Sequence, residues 1–267
     1  MTATVTRTVP TRPTAARSGA VWMTLRLAGT ELRLLGREKS VIVGLVGFPL
    51  ITVLVLAGVF GQGPDPDFGG VSPDDHYLVG YIGVVLASLG VATIPVHLAT
   101  HRELGVLRRY RAAGLSARVV VAAQVLLGAV LGTVAASVVL LVGSLVYGLP
   151  APEDPLGALG WYLAGLACFV ALGVALGSLA RTGRSAAALG NLVFIPMFLL
   201  GGGGPPRAVM SSTMQTISDV LPLSHVVGGL RQAWLGTTDD PHVLWWPVVV
   251  AAVAVALAVR SGRRRPS

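Results

Sequence analysis

The sequence has few charged residues, one lysine and one cysteine. Only 12% of its 267 residues are charged, whereas an ordinary soluble domain has about a quarter. Apolar residues make up 53% of the chain, and the mean hydropathy is +0.74. This composition indicates that water is not the main solvent of the chain. Because Cys168 is the only cysteine, the chain forms no intramolecular disulfide and no cysteine metal site.

The shortage of lysine excludes an ATPase of the P-loop type. That loop needs a lysine after its glycine-rich turn to reach the β- and γ-phosphates. The single lysine, Lys39, follows Gly36-Arg37-Glu38 and has no glycine at the required upstream spacing. The run 201–206 is rich in glycine but lacks lysine, so it predicts a helix break. We therefore expect neither ATP hydrolysis nor a bound cofactor on this chain.

Catalytic and proton-relay patterns are also absent. The dipeptides Ser218-Asp219 and Ser224-His225 lack the spacing of a hydrolase or zinc motif, so we do not expect an enzyme. The interiors of the apolar runs hold no Asp, Glu, Lys or Arg. His97, which precedes His101, is expected to cap a helix or lie at the membrane interface rather than carry protons.

Six apolar runs, each long enough to cross a bilayer as a helix, dominate the chain. They are residues 41–60, 77–100, 118–147, 156–180, 185–200 and 243–259. The third is long for one crossing, so it either tilts or extends past the bilayer. Small residues in it allow close packing, within one subunit or in a dimer contact: Gly128, Gly132, Ala135, Ala136 and Ser137. Gln124 and Asn191 are expected to hydrogen-bond neighbouring helices.

The regions outside these runs are short. Residues 1–20 predict a disordered tail, and residues 261–267 form a basic tail. An amphipathic helix suited to the membrane surface is predicted from residue 21. Its apolar stripe is Val21, Leu25, Ala28, Leu32 and Leu35, and its other faces carry Arg26, Glu31, Arg33 and Arg37.

Charge is sorted between alternate loops. Eighteen of the 20 Lys and Arg residues lie in 1–40, 101–118, 181–184 and 260–265, and the alternate segments 61–76, 149–155 and 201–242 hold the other two with nine of the 12 acids. The positive-inside rule then predicts that both termini are cytoplasmic. This requires an even number of crossings, in agreement with six. The net charge of +8 therefore reflects membrane topology rather than nucleic-acid binding.

One cytoplasmic stretch, residues 100–116, is the most specific feature of the sequence. It reads Thr-His-Arg-Glu-Leu-Gly-Val-Leu-Arg-Arg-Tyr-Arg-Ala-Ala-Gly-Leu-Ser. It resembles the first cytoplasmic loop of the ABC-2 type transporter permeases, Arg-Glu-x-Gly-Thr-x-x-x-Leu-x-x-x-Pro-Leu-Ser. The matches are Arg102, Glu103, Gly105, Gly114, Leu115 and Ser116, whereas Val106 and Ala113 depart from the pattern. Residues 194–202, 221–225 and 230–231 resemble the fifth span and outer hairpin of the same family.

This resemblance, over residues 21–260, implies an all-α integral membrane protein with six transmembrane helices. It further implies an N-terminal amphipathic interfacial helix, a cytoplasmic coupling helix and a re-entrant outer segment. The implied role is the permease subunit of an inner-membrane exporter of drug-like compounds, lipids or glycans. A second permease copy and a separate ABC ATPase, which holds ATP and Mg, would be its partners.

The resemblance also assigns the residues that contact the ATPase. They are Arg102, Glu103, Leu104, Gly105, Leu107, Arg108, Tyr110, Arg111, Gly114 and Leu115. Leu104, Leu107 and Tyr110 could form an apolar stripe for a groove in the partner, with a charged rim. On charge alone, a solvated basic loop that touches phospholipid is the alternative. For the whole chain, a non-transporting scaffold or immunity component is the second interpretation, and a channel or secondary carrier is the third.

Overall fold

The computed structural model describes residues 18–37, 43–61, 63–238 and 240–264. Within these ranges the chain is helical and has no β-strand, as predicted. The predicted tail 1–20 lies outside the described residues except for 18–20, which begin the first helix. Lys39, Asp239 and the end of the basic tail, 265–267, also lie outside them.

The helices are numbered in chain order. They are α1 (Ser18–Leu35), α2 (Phe48–Phe60), α3 (Pro73–Ala87), α4 (Ile94–Glu103), α5 (Val106–Ala112), α6 (Ala117–Tyr147), α7 (Pro155–Leu179), α8 (Gly183–Leu200), α9 (Ser212–Val220), α10 (Pro222–Leu235) and α11 (Trp245–Arg264). Wider π-helical turns, Val43–Gly47 and Ser88–Thr93, precede α2 and join α3 to α4.

Five helical segments are long and apolar enough to cross a membrane. They are Val43–Phe60, Pro66–Glu103, Val119–Tyr147, Pro155–Leu179 and Gly183–Leu200, and each overlaps one predicted span. The sixth predicted span corresponds to a shorter apolar helix, Trp245–Arg260. The whole of α11 has 20 residues, about 30 Å at 1.5 Å per residue, close to the thickness of a bilayer core. The count of six crossings stays a prediction.

The continuous helix formed by α3, the π turn and α4 is the centre of the molecule. It packs against α2, α6, α7, α8 and α10, and Tyr77, Leu78 and Tyr81 are fully buried in its first half. Small residues permit this packing. Gly90 of the π turn lies against the backbone of Phe169, and Gly132 of α6 faces leucines of α3 and the π turn. Four of the small residues named in the third predicted span therefore pack within the subunit, whereas Ser137 is exposed: they are Gly128, Gly132, Ala135 and Ala136.

Helix α1 packs on α6, but the face that it buries differs from the predicted stripe. Ala28, Glu31 and Leu35 are buried, whereas Val21 and Leu25 are exposed. The prediction that Glu31 lies on another face was wrong. The Glu31 carboxylate is buried because α4 and α6 supply polar partners for it. The spacing of apolar residues along α1 does not predict partners on other helices.

The loops that precede α3, α7 and α11 meet at one end of the bundle, which we call the acidic end (residues 63–72, 148–154 and 201–244). Arg231 of α10 is buried there. It donates to the carbonyl oxygens of His76 (3.1 Å) and Gly202 (3.1 Å) and pairs with Asp240. Helices α9 and α10 have 9 and 14 residues, too few to cross a bilayer. The predicted re-entrant path of this segment stays a prediction.

Polar residues once considered for catalysis support this end of the fold. The Ser218 hydroxyl donates to the carbonyl oxygen of Leu200 (2.7 Å) and lies 3.0 Å from the Ser224 hydroxyl. His225 Nδ1 accepts the backbone N–H of Val243 (3.2 Å). These bonds hold α9, α10 and the start of α11 together.

Candidate functional site

The opposite end of the bundle contains the sequence motif 100–116. We call it the arginine-rich end: α1, the last turns of α4, the segment 104–116 that includes α5, the first turns of α6, and the turn 180–183 between α7 and α8. These parts contact one another through side chains of α1, α4 and α6. The ten residues that the sequence assigned to a partner contact all lie here, but the structure places them in three different environments.

Arg102 and Glu103 face inward, toward the turn between α7 and α8. Arg102 Nη1 donates to the carbonyl oxygens of Gly177 (3.1 Å), Ser178 (3.2 Å) and Ala180 (3.0 Å). These carbonyls end α7, where a cation is favoured by the helix dipole and by unpaired acceptors. The arginine therefore ties α4 to α7.

Glu103 binds the start of the next helix, α8. Its Oε2 accepts the backbone N–H of Gly183 at 2.9 Å, and Gly183 is the first residue of α8. A carboxylate at a helix N-terminus is favoured by the dipole and satisfies a free N–H group. Adjacent residues of opposite charge thus bind the end of one helix and the start of the next.

Two glycines delimit α5. Gly105 (φ +71°) and Gly114 (φ +84°) adopt the left-handed conformation, which glycine accepts without the steric cost of a Cβ. The backbone N–H of Leu115 bonds to the carbonyl oxygen of Tyr110 (2.9 Å), and the Ser116 hydroxyl caps α6. The segment is therefore a short helix held between two sharp turns.

The apolar residues of α5 do not form one outward surface. Leu107 and Tyr110 pack on a cluster of Leu27 and Ala28 from α1 with Val120 and Ala123 from α6. In contrast, the Leu104 side chain is 65% exposed. Two of the three members of the predicted stripe are therefore half-buried against α1 and α6, and contact of this segment with a partner stays a prediction.

The surface left open on this segment is basic with one large apolar side chain. Arg108 and Arg109 are exposed beside Leu104, and the side chain of Arg111 lies outside the described residues. Tyr110 lies on the covered side, where burial and the Glu31 carboxylate raise the pKa of its phenol above the ordinary value. The outer surface of this segment thus suits an acidic partner with an apolar pocket.

A buried polar cluster lies beneath α5, and sequence reasoning did not assemble it. Gln124 Nε2 donates to Glu31 Oε2 (2.5 Å), so the expected bond of Gln124 to a neighbouring helix is present. His97 Nε2 lies 3.5 Å from Glu31 Oε2, and His101 Nδ1 lies 3.6 Å from Glu31 Oε1. The four-residue spacing of the two histidines placed them on one helix face, but the partner on α1 had no sequence signal.

Comparison with known proteins gives the following matches. The model of the family described as "ABC-2 type transporter" matches residues 24–235, from α1 to the end of α10. The chain is also 27% identical over 160 residues to a protein of Bacillus subtilis (strain 168) described as "Putative transport permease YvfS". That alignment covers 60% of this chain and 64% of the relative, less than two thirds of its length.

Proposed function

The chain belongs to the ABC-2 type transporter family, and from this premise we propose that it is the permease subunit of an ATP-driven exporter. Its multiple apolar helices and its family make it a multi-pass membrane protein. In this proposal six helices span the inner membrane, and both termini and the arginine-rich end are cytoplasmic. A separate ABC ATPase docks on that end, and ATP and Mg²⁺ are held by this partner.

The anchored loop at 102–116 carries the proposal. Arg102 and Glu103 are each bound to the turn between α7 and α8, while Leu104, Arg108 and Arg109 remain exposed on the outer surface. A partner that moves this surface therefore displaces α4, α7 and α8 together. Because α4 continues through the π turn into the buried α3, the displacement reaches the centre of the bundle. Such rigid linkage is what switching between inward-open and outward-open states requires.

A second permease copy completes the proposed transport path. Apolar side chains are exposed along α2, α6 and α11, where lipid or another copy would cover them: Ile51, Val55, Val59, Leu141, Leu145, Val248 and Val253. A cavity of about 220 Å³ at the acidic end is lined by Phe68, His76 and Arg207, among others. Pockets for small molecules usually measure about 300–1,000 Å³. A path between two copies is therefore better suited to a hydrophobic or amphipathic solute than the cavity of one chain.

Co-purification with an ATPase tests the proposal. The full chain is co-expressed with soluble proteins encoded beside its gene, and those that carry Walker A and ABC signature motifs are the candidates. We expect a stable complex, whose ATP hydrolysis drives export of drug-like or lipid probes from vesicles. If the membrane protein assembles but recruits no ATPase, the scaffold interpretation replaces the exporter.

Glu103 provides a sharper variant within the same experiment. Glu103→Lys removes the acceptor for Gly183 and places a cation at the positive end of α8. We expect it to abolish transport while membrane insertion persists. Glu103→Gln keeps a side-chain oxygen as acceptor and serves as the matched control, with transport largely retained. Normal export by the lysine variant would disprove the role of this anchor in coupling.

A further inference from the structure

The buried cluster under α5 brings together nitrogen and oxygen atoms from three helices. Glu31 of α1 is fully buried, and His97 and His101 of α4 and Gln124 of α6 surround its carboxylate. Four side-chain atoms here are buried without a hydrogen-bond partner: Glu31 Oε1, His97 Nε2, His101 Nδ1 and Gln124 Oε1. Buried polar atoms without partners are costly, so their convergence at one point calls for a ligand that satisfies them together.

We propose that Glu31, His97 and His101 bind a divalent transition-metal ion, for which Zn²⁺ is the best match. One ligand atom from each residue lies within 4.8 Å of the other two. In a tetrahedral zinc site, with bonds of about 2.0–2.2 Å, ligand atoms are separated by roughly 3.4 Å. The contacts of 3.5 Å from His97 to Glu31 Oε2 and 3.6 Å from His101 to Glu31 Oε1 are close to this separation, each histidine meeting a different oxygen of the carboxylate. Small side-chain rotations would bring one carboxylate oxygen and the two imidazole nitrogens around a single ion.

The donor set favours a transition metal over Ca²⁺ or Mg²⁺. Two imidazoles and one carboxylate suit zinc, iron and related ions, whereas calcium and magnesium prefer sites of oxygen alone. Neutral imidazoles are the form that binds metal. The charge of the ion then compensates the buried Glu31 carboxylate, whose burial without a counter-charge is strongly unfavourable.

Gln124 is the supporting residue of the site. Its Nε2 donates to Glu31 Oε2 and so orients the carboxylate, as partners of metal ligands commonly do. Its own Oε1 remains a further oxygen at the cluster. A water molecule or this amide oxygen would complete a fourth position, which three protein ligands leave open.

Occupancy of the site would link α1 to α4 directly beside the loop anchors. His101 precedes Arg102 in the chain, so an ion held by His101 and Glu31 restricts the movement of α4 relative to α1. On the proposed function, metal binding would therefore regulate coupling to the ATPase. This consequence rests on that function, whereas the metal site itself does not.

Direct metal titration tests the site. The full chain is purified in detergent through a tag without histidine, treated with a chelator, and titrated with Zn²⁺ against a chromophoric competitor and with Co²⁺ by absorption spectroscopy. We expect one ion per chain and a cobalt spectrum typical of four-coordinate nitrogen and oxygen ligands. Glu31→Gln, His97→Asn and His101→Asn should each weaken Zn²⁺ binding at least about tenfold. His242→Asn, at the acidic end, is the matched control and should bind as the wild type does.

Two results would overturn the proposal: no stoichiometric binding by the wild type, or equal binding by all four variants. Should the cluster variants fail to assemble, X-ray absorption at the zinc edge of the wild-type protein decides. Imidazole scattering and metal–ligand distances of about 2.0–2.2 Å support the site, and their absence refutes it. Because binding is measured without ATPase or transport, failure here is distinct from failure of the proposed function.

Discussion

Replacing Gly173 with alanine should push α7 away from the central helix. A Cβ at this position would lie 2.3 Å from the carbonyl oxygen of Gly90 and 2.9 Å from the Cβ of Ile94. Ordinary contacts begin at 3.4 Å, so the two helices must separate by about 1 Å. The obstructing oxygen belongs to the backbone of the π turn, and no side-chain rotation relieves the clash.

The loss of stability in Gly173→Ala follows from this clash. Overpacking a tight core usually costs about 1–3 kcal/mol, and a backbone obstruction places Gly173→Ala near the upper limit. For a chain of this size, 1 kcal/mol shifts the midpoint of thermal unfolding by roughly 2–4 °C. We expect the midpoint, followed by tryptophan fluorescence in detergent, to fall by about 6–12 °C.

Gly160 supplies the control on the same helix. No atom lies within 4 Å of a Cβ built at Gly160, so Gly160→Ala should change stability by no more than about 1 kcal/mol, the ordinary difference between these residues in a helix. Equal midpoints for the Gly173 and Gly160 variants would refute the close approach of α7 to the π turn.

Three further predictions concern the two ends of the bundle. Arg102→Lys should lower the free energy of unfolding by about 1–2 kcal/mol in chemical denaturation and reduce stimulated ATP hydrolysis, because one ammonium does not reproduce the planar fork of arginine; Arg108 is exposed, so Arg108→Lys should leave the free energy of unfolding unchanged. A cysteine at Ser212 should react with membrane-impermeant reagents from the periplasmic side, while buried Cys168 stays unlabelled, and labelling from the cytoplasm alone would refute the proposed topology. Absorbance titration should show Tyr110 ionising above the ordinary pKa near 10. The contribution of Tyr110 to stability is present below that pH and lost as pH rises through its raised folded pKa, and Tyr110→Phe should remove this part of the pH dependence.

The helices themselves were accessible to sequence reasoning because their signal is local. The run 156–180 is apolar over its whole length and forms α7 almost residue for residue. The segment that contains α5 was also located, since the motif at 100–116 includes Gly105 and Gly114, which form its two turns. In these cases the composition of the segment is sufficient to predict its structure.

The roles of charged residues were less accessible. Arg102 and Glu103 were expected to contact a partner, yet they bind carbonyl and N–H groups at residues 177–183. Every helix end has such unpaired backbone groups, whatever its sequence. The residues around 180 therefore do not indicate which side chain will bond to these groups. Leu107 was assigned outward for the same reason, because α1 had no visible relation to α5.

By itself, the sequence determined that this chain consists of long apolar helices with basic residues sorted to alternate loops. Each helix satisfies its own backbone hydrogen bonds, so apolar length and flanking charge suffice to specify it. Only the tertiary structure decided that Glu31 meets Gln124, 93 residues away, together with His97 and His101. That meeting depends on how α1, α4 and α6 pack, and packing is a property of surfaces in contact rather than of any one segment.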